Sequence, residues 1–148
     1  IVDDLSQDVS VTDSERVFET NFSTMLKRMH DEGRNVFVLK QIPRQENFDA
    51  RTSFYNSIQL GEVVPFQSES LVAHEAYTAF TNNVFDTLER ESIIVTLDPK
   101  DILCGEIECK AFAYGKIVYE DPGHLNAVGS RMLDPLIEQF IDSVGRDD

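Results

Sequence analysis

The stretch "KIVYEDPGHLNAV", Lys116 to Val128, sets an apolar strand-like run, a tight turn and the start of a helix in succession. Within the turn, Asp121 stands three residues before His124. In an open parallel sheet, the side chains that carry out chemistry gather in loops beyond the carboxyl ends of the strands. The order strand, turn, helix therefore predicts that Asp121 and His124 lie in a loop of that kind.

A carboxylate so close to an imidazole can act on it chemically. Asp121 could accept a hydrogen bond from one ring nitrogen of His124, which leaves the other nitrogen free to take a proton from a hydroxyl nucleophile. The residues allow a second interpretation, in which Asp121 caps backbone amides of the turn and His124 is simply exposed. On these residues alone both interpretations stay open.

The sequence shows no obvious nucleophile for such a base. It contains no G-x-S-x-G elbow, and Ser130 falls in the first turn of the helix that follows the D-x-x-H pair. The other two histidines lie at helix ends: His30 ends the first amphipathic pattern, and His74 begins the second. Both are expected at the surface rather than in a site.

Composition excludes several classes of function. The 148 residues carry 27 acidic and 13 basic side chains, for a formal net charge of −14. This charge argues against nucleic acid or an anionic membrane surface as a partner. The longest apolar runs, "VFVL" and "IIVTL", are strand-sized, so no direct membrane insertion is expected. No glycine-rich phosphate loop is present, and we expect no cofactor.

The two cysteines, Cys104 and Cys109, lie in "CGEIEC". This spacing permits a small disulfide loop in an exported protein, and it equally permits two free thiols on a cytosolic loop. A zinc site that uses both thiolates with Asp121 or His124 lacks a second pair of suitably spaced ligands. No metal site is therefore expected.

Hydrophobic spacing predicts two long helices. Thr12 and Glu15 match a capping box before an apolar stripe, and Gly33 supplies a left-handed stop. Ser70 is a candidate cap for the second helix, whose stripe runs from Ala73 through Tyr77 to Leu88; its further members are Ala76, Phe80 and Val84.

Between and after these helices, "NVFVL" and "SIIVTLD" are typical of short strands buried on both faces. The long polar stretch after the first strand, residues 44–70, is expected to contain a short helix or to lie over a site. Asn126 can cap a last helix, with a kink or restart where Asp134 precedes Pro135.

The order helix, strand, helix, strand, short strand, helix predicts an α/β layered fold with a mostly parallel sheet, as a single domain over residues 1–148. Two or three strands make a thin sheet, so the chain is interpreted as the back part of a larger domain. Ile1 replaces an initiator Met, and no signal-peptide pattern follows it. We expect a piece of a longer protein.

The segment "DILCGEIECKAFAYGKIVYEDPGHLNAVGSRML", residues 101–133, resembles the C-terminal block of SGNH-type (GDSL-like) hydrolase domains. The likeness is strongest to the SGNH domains fused to bacterial membrane-bound sugar O-acyltransferases. Asn126 stands where the family usually has Ser or Thr. Upstream, "FETNFSTMLKRMHDEGRNVFVLKQIPR" resembles the family's helix, Gly-ended turn and strand finishing in Pro. The matching positions of the tail are Cys104, Cys109, Tyr119, Asp121, His124, Leu125 and Gly129.

The resemblance implies a three-layer, flavodoxin-like fold and an acyl-serine mechanism. His124 would deprotonate the serine and later protonate the leaving alcohol, and Asp121 would orient it. The family's nucleophile lies in a G-D-S block near the start of the domain, and further blocks supply oxyanion donors. None of these blocks occurs here, and by the family's layout they would precede Ile1. The resemblance also implies a periplasmic location and a Cys104–Cys109 disulfide.

The expected function is thus the C-terminal portion of an SGNH acyltransferase or esterase that acts on O-acyl groups of cell-envelope glycans. By itself the chain is expected to be inactive, and to pair with the missing N-terminal part of the domain or with a second copy. The alternative is a non-catalytic α/β binding module that keeps the SGNH scaffold. That alternative predicts an Asp121–His124 pair too far apart to hydrogen-bond, or a parent without the serine.

Overall fold

The computed structural model describes residues 10–61 and 66–144 of the chain. Within these ranges, stretches of suitable spacing form six helices and eight short strands. The helices are α1 Val11–Asp31, α2 Ala50–Leu60, α3 Leu71–Arg90, α4 Lys100–Leu103, α5 Ala127–Met132 and α6 Asp134–Val144. The strands are β1 Phe37–Leu39, β2 Glu69–Ser70, β3 Val95–Leu97, β4 Glu108–Cys109, β5 Phe112–Ala113, β6 Lys116–Ile117, β7 Tyr119–Asp121 and β8 His124–Leu125.

The described strands pair in twos. β2 pairs with β4, β5 with β6 and β7 with β8, all antiparallel, and β1 pairs with β3. At one end of the last pair, the Val95 amide donates to the Val36 carbonyl, and at the other end the Lys40 amide donates to the Leu97 carbonyl. These bonds advance in the same direction along both strands, which is the pattern of a parallel pair.

The α/β class expected from the sequence is present, but a three-layer, mostly parallel sheet is not found among the described residues. The reason lies in the connections. β5–β6 and β7–β8 are each joined by a two-residue turn, and such a turn permits only antiparallel pairing. A parallel pair needs a crossover of a dozen residues or more, and the long connection from β1 to β3 supplies one.

The chain forms two compact units. Within the described residues, one consists of 10–38 and 80–96, and the other of 39–61, 66–79 and 97–144. The expectation of a single domain over residues 1–148 remains a prediction.

The core of the first unit follows from the predicted helical stripe. Leu26 of α1 is buried with Val84, Phe85 and Leu88 of α3 and with Ile94. The partly buried side chains packed against this cluster are Phe18, Phe22, Met29, Val36, Val38, Phe80 and Ile93. The predicted stripes supplied Leu26, Val84 and Leu88 to this core. They were right only in part, because Ala73, Ala76 and Tyr77 at the start of α3 are exposed.

The predicted start of α1 is wrong, whereas its predicted end is confirmed. Ser10 caps the helix by accepting from the Asp13 amide at 3.0 Å, so the Thr12 capping box was wrong: Thr12 lies inside the first turn. The prediction about Gly33 is confirmed, because its φ of 79° ends the helix and its amide donates to the His30 carbonyl.

Helix α2, the cap of α3 and the start of α6 agree with the sequence predictions, whereas the burial of β1 and β3 does not. The polar stretch does contain a helix, α2, and Ser70 does cap α3, since its Oγ accepts from the Ala73 amide at 3.1 Å. A new helix begins at Asp134, directly after the one-residue break at Leu133. Strands buried on both faces were wrong, because Leu39 of β1 and Val95 of β3 are each about half exposed.

The second unit is built around the fully buried side chain of Gln45. Its Nε2 donates to the Cys109 carbonyl at 3.0 Å, and its Oε1 accepts from the Glu69 amide at 3.0 Å. Nearby, the buried Tyr119 hydroxyl donates to the Pro43 carbonyl at 2.7 Å. Residues 43–45, which form neither helix nor strand, are thus hydrogen-bonded to β2, β4 and β7.

We predict that Gln45→Leu lowers the free energy of unfolding by about 2–3 kcal/mol, because it leaves the buried Cys109 carbonyl and the Glu69 amide without their partner. Urea unfolding monitored by circular dichroism measures the change. Gln41→Leu, at an exposed position four residues earlier, is the matched control and should stay within about 0.5 kcal/mol of wild type. Equal effects of the two substitutions would contradict the assigned role of Gln45.

Candidate active site

The turn between β7 and β8 brings Asp121 opposite His124. The two residues are cross-strand partners, and the pairing shifts register between Tyr119 and Asp121. The Gly123 amide donates to Asp121 Oδ1 at 2.8 Å, so the carboxylate stabilises the backbone of its own turn. The proximity of the two side chains is thus a local property of the sequence E-D-P-G-H.

The imidazole and the carboxylate are in hydrogen-bond contact. His124 Nδ1 lies 2.8 Å from Asp121 Oδ2 and 2.9 Å from Oδ1. Both side chains are accessible, at 50% exposure for Asp121 and 78% for His124. An ionised carboxylate can only accept, so Nδ1 carries the proton and, in a neutral ring, Nε2 keeps its lone pair. That tautomer is the one a general base needs.

The electrostatics of the turn favour an ionised Asp121. The pKa of its carboxyl is lowered, first by the hydrogen bond from the Gly123 amide and then by the hydrogen bond from His124. Both interactions are made to the charged form and therefore stabilise it. Asp121 thus performs both functions that sequence reasoning had kept apart: it caps the turn and contacts the histidine.

Asn126 joins helix α5 to the two strands that precede the turn, β6 and β7. Its Oδ1 accepts from the Val128 and Gly129 amides at 2.9 and 3.1 Å. Its Nδ2 donates to the carbonyls of Ile117 and Tyr119 at 2.8 and 3.2 Å. The predicted cap is confirmed. Ser or Thr in this place has one hydroxyl proton, so the amide adds a second donor toward the strands.

Gly129 permits the close approach of α5 to the strand segment before the turn. A Cβ at this position would come 2.9 Å from Leu125 Cδ2 and would overlap the Val118 carbonyl oxygen. Only a residue without a side chain fits, and the backbone of the segment is rigid because the Asn126 amide also donates to the Val118 carbonyl. The position of Gly129 in the sequence motif therefore has a packing cause.

The turn is also hydrogen-bonded to Gln45, the buried residue at the centre of the second unit, which we call the hub. The Gln45 amide donates to the Pro122 carbonyl at 2.8 Å. Sequence reasoning missed Gln45 altogether, because it lies in a polar stretch without period and its role arises from contacts with residues 24 to 77 positions away. No signal in the single sequence marks it.

Cys104 and Cys109 form a disulfide, which resolves the alternative of free thiols. The Gly105 amide donates to the Glu108 carbonyl and the Lys110 amide to the Leu103 carbonyl, so the loop is held on both sides of the bridge. Neither sulfur is then available as a thiolate ligand. In residues 10–61 and 66–144, no three side chains of His, Cys, Asp or Glu converge as a metal site would require.

The other two histidines, His30 and His74, differ in their exposure to solvent. His30 is exposed, as expected, but the expectation of an exposed His74 was wrong, because this residue is 4% exposed. Among residues 71–79, at the start of α3, the buried positions are His74 and Thr78, while the apolar Tyr77 is exposed. The prediction failed because it chose the inward face of this helix by hydrophobicity. The inward-facing Thr78 is polar, and its burial is possible because its hydroxyl donates to the His74 carbonyl at 2.9 Å.

No described serine, threonine or cysteine side chain hydrogen-bonds to His124. Ser130 lies on the exposed side of α5. Within the described part of the chain, the candidate site therefore consists of His124 and the carboxylate hydrogen-bonded to it.

A family model described as "SGNH domain (fused to AT3 domains)" matches residues 2–139. The chain belongs to this family, and its α/β class and the acyltransferase context follow from the match. Neither the curated proteins nor the solved structures contain a significant match to the chain. Among the described helices, none combines the length and the apolar character needed to cross a bilayer.

We predict that Gly129→Ala destabilises the protein by about 1–3 kcal/mol through overpacking against Val118, although alanine is ordinarily favoured in helices. Gly105→Ala is the matched control. Its Cβ would meet only the Glu108 carbonyl oxygen at 3.8 Å, an ordinary contact, so its effect should be near zero. Urea midpoints give both values, and a stabilising Gly129→Ala would contradict the packing argument.

The pKa of Asp121 generates a second prediction. Because it is lowered in the folded state, the interactions of Asp121 add stability above the ordinary pKa of an aspartate, and this contribution is lost as the pH falls through the lowered pKa. A ¹³C NMR titration of the Asp121 carboxyl should give a midpoint below 3.8.

His124→Ala should raise that midpoint only in part, because the Gly123 amide is the larger cause and remains. The matched control variant is His30→Ala, at the exposed histidine of α1, which should leave the Asp121 midpoint unchanged. A midpoint unchanged by His124→Ala would show that the imidazole does not interact with the carboxylate in solution.

Proposed function

We propose that this chain supplies the histidine and aspartate of a Ser-His-Asp acyl-transfer site in an SGNH-type acyltransferase or esterase. The observation that carries the proposal is the 2.8 Å contact between His124 Nδ1 and Asp121 in a chain of the SGNH family. The same distance contradicts one of the two outcomes expected of the non-catalytic alternative, a pair too far apart to hydrogen-bond. The other outcome, a parent without the serine, is tested by the upstream coding sequence.

In the proposed reaction, Nε2 of His124 takes the proton from the serine hydroxyl while the serine oxygen forms a bond to the acyl carbonyl carbon. The bond from that carbon to the donor alcohol then breaks, and the imidazolium returns the proton to the leaving oxygen. Ionised Asp121 stabilises the imidazolium formed between the two steps. Transfer of the acyl group to a sugar hydroxyl or to water completes the cycle.

The nucleophile is proposed to come from a part of the SGNH domain outside this sequence, since no G-D-S block occurs within the 148 residues. The partner of this chain would be that missing part of the domain or a second copy of the chain. The described strands pair only in twos, so each keeps one edge without a strand partner, which supports a further strand as partner. The isolated chain is accordingly proposed to be inactive.

The proposed substrates are O-acyl groups of cell-envelope glycans, in the periplasm. Two observations support this setting. The Cys104–Cys109 disulfide is typical of proteins in oxidising compartments. The family description places SGNH domains in fusion with AT3 domains.

The test is hydrolysis of p-nitrophenyl acetate by the isolated chain and by the full-length product of its gene. The isolated chain should show no turnover above buffer. In the full-length protein, His124→Ala should lower kcat by about 10⁴-fold or more, and Asp121→Asn by about 10³–10⁴-fold. His30→Ala, at the exposed histidine of α1, should leave kcat unchanged.

Robust, His124-dependent turnover by the isolated chain would refute the claim that the nucleophile lies elsewhere. Full activity of the long protein with His124→Ala would refute the catalytic role itself.

A further inference from the structure

A cleft of about 180 Å³ opens in the second unit beside the segment that carries Gln45. We call it the His74 cleft. It lies between the start of α3, strand β2 and residues 44–46, and its walls are formed by Arg44, Glu46, Glu69, Ala73, His74 and Tyr77. None of these residues takes part in the proposed acyl transfer.

The cleft contains a buried polar group without a partner. His74 is 4% exposed, and its Nδ1 has no hydrogen-bond partner among the described residues. An unsatisfied buried nitrogen is costly, and native proteins rarely keep one without a function. Burial is the main cause that lowers the pKa of the ring, so His74 is neutral at pH 7 and can donate to or accept from a hydroxyl.

Tyr77 stands one helical turn beyond His74 and forms an exposed aromatic wall. Its side chain is 62% exposed, although it lies beside the buried His74 and Thr78. A flat aromatic face covers the C–H groups of a sugar ring while the phenol oxygen stays in water. A histidine below and a tyrosine at the side thus offer both polar and apolar contacts to one ring.

The mouth of the cleft presents planar charged groups. Arg44 Nε lies 2.8 Å from Glu46 Oε1, and this ion pair leaves further guanidinium donors and carboxylate lone pairs unused. Glu69 adds a second carboxylate, one oxygen of which accepts from the Ser70 amide at 3.0 Å. Two carboxylates against one guanidinium, in a chain of net charge −14, disfavour an anionic ligand.

The size of the cleft limits the ligand further. Pockets for drug-sized molecules measure about 300–1,000 Å³, and this cleft is smaller. It has room for one ring rather than for an oligosaccharide.

We propose that the His74 cleft binds one neutral sugar ring, as the glycan subsite of the Asp121–His124 site. The assignment of that ring to the glycan substrate rests on the function proposed above. The physical link is the segment 44–46: the Gln45 amide holds the catalytic turn at the Pro122 carbonyl, while the side chains on either side of it line the cleft. A sugar held by Arg44 and Glu46 is therefore positioned by the same backbone that positions the turn.

Binding is tested on the isolated chain, because it requires no nucleophile. Methyl glycosides of glucose, galactose, mannose and N-acetylglucosamine are titrated to tens of millimolar, and the chain is followed by ¹H–¹⁵N and histidine-ring NMR. At least one glycoside should shift the His74 ring and Tyr77 resonances, with the His124 ring as an internal reference outside the cleft.

Tyr77→Ala should weaken the affinity for that glycoside by about tenfold, and His74→Phe, which keeps the ring volume but removes the nitrogens, by a similar factor. Tyr55→Ala, at an exposed tyrosine of α2, is the matched control and should leave Kd unchanged. Because Tyr77 is exposed, its variant should fold even where His74→Phe does not. Thermal melts check both.

No shift with any neutral glycoside overturns the proposal, as does binding that Tyr77→Ala leaves intact. Tighter binding of methyl glucuronide than of methyl glucoside would also overturn it. If His124→Ala abolishes turnover of the full-length protein but no glycoside binds to the cleft, the subsite is refuted and the proposed acyl transfer is not. In the full-length enzyme, Tyr77→Ala should raise the KM for the glycan and leave kcat unchanged, the opposite of the His124→Ala effect.

Discussion

The second unit depends on the buried side chain of Gln45. One amide group and one backbone N–H satisfy the Cys109 carbonyl, the Glu69 amide and the Pro122 carbonyl. All three belong to short segments, since each strand here has only two or three residues. A buried backbone group without a partner is costly, and Gln45 alone bonds to the disulfide loop, to β2 and to the turn between β7 and β8.

The candidate site combines local rigidity with accessibility. His124 is mostly exposed, yet its orientation is defined on one side by Asp121 and by the Gly123 amide behind that carboxylate. Asn126 then joins the turn to α5 with all of its amide hydrogen bonds in use. An open base of this kind gains its full effect only when further groups exclude water from it. The proposed serine-bearing segment would do so.

Sequence reasoning succeeded where the deciding contacts are close along the chain. Asp121 and His124, the Asn126 cap and the Gly33 stop all lie within a few residues of their partners. Their geometry follows from turn chemistry and helix capping, which act over one or two turns of backbone. The same reasoning failed for strand pairing, where the partner must be chosen among many short candidates.

The sequence by itself determined the SGNH resemblance and the carboxylate–histidine pair, because both are carried by the order and spacing of residues along the chain. It also predicted the apolar stripes that supply Leu26, Val84 and Leu88 to the first helical core. The tertiary structure decided the rest: that Gln45 is a hub, that His74 is buried and Tyr77 exposed, and that most strands pair antiparallel. These features depend on which distant groups meet. Hydrophobicity cannot rank a glutamine or a histidine as internal, since their burial is favourable only when partners from elsewhere in the chain, or a ligand, complete their hydrogen bonds.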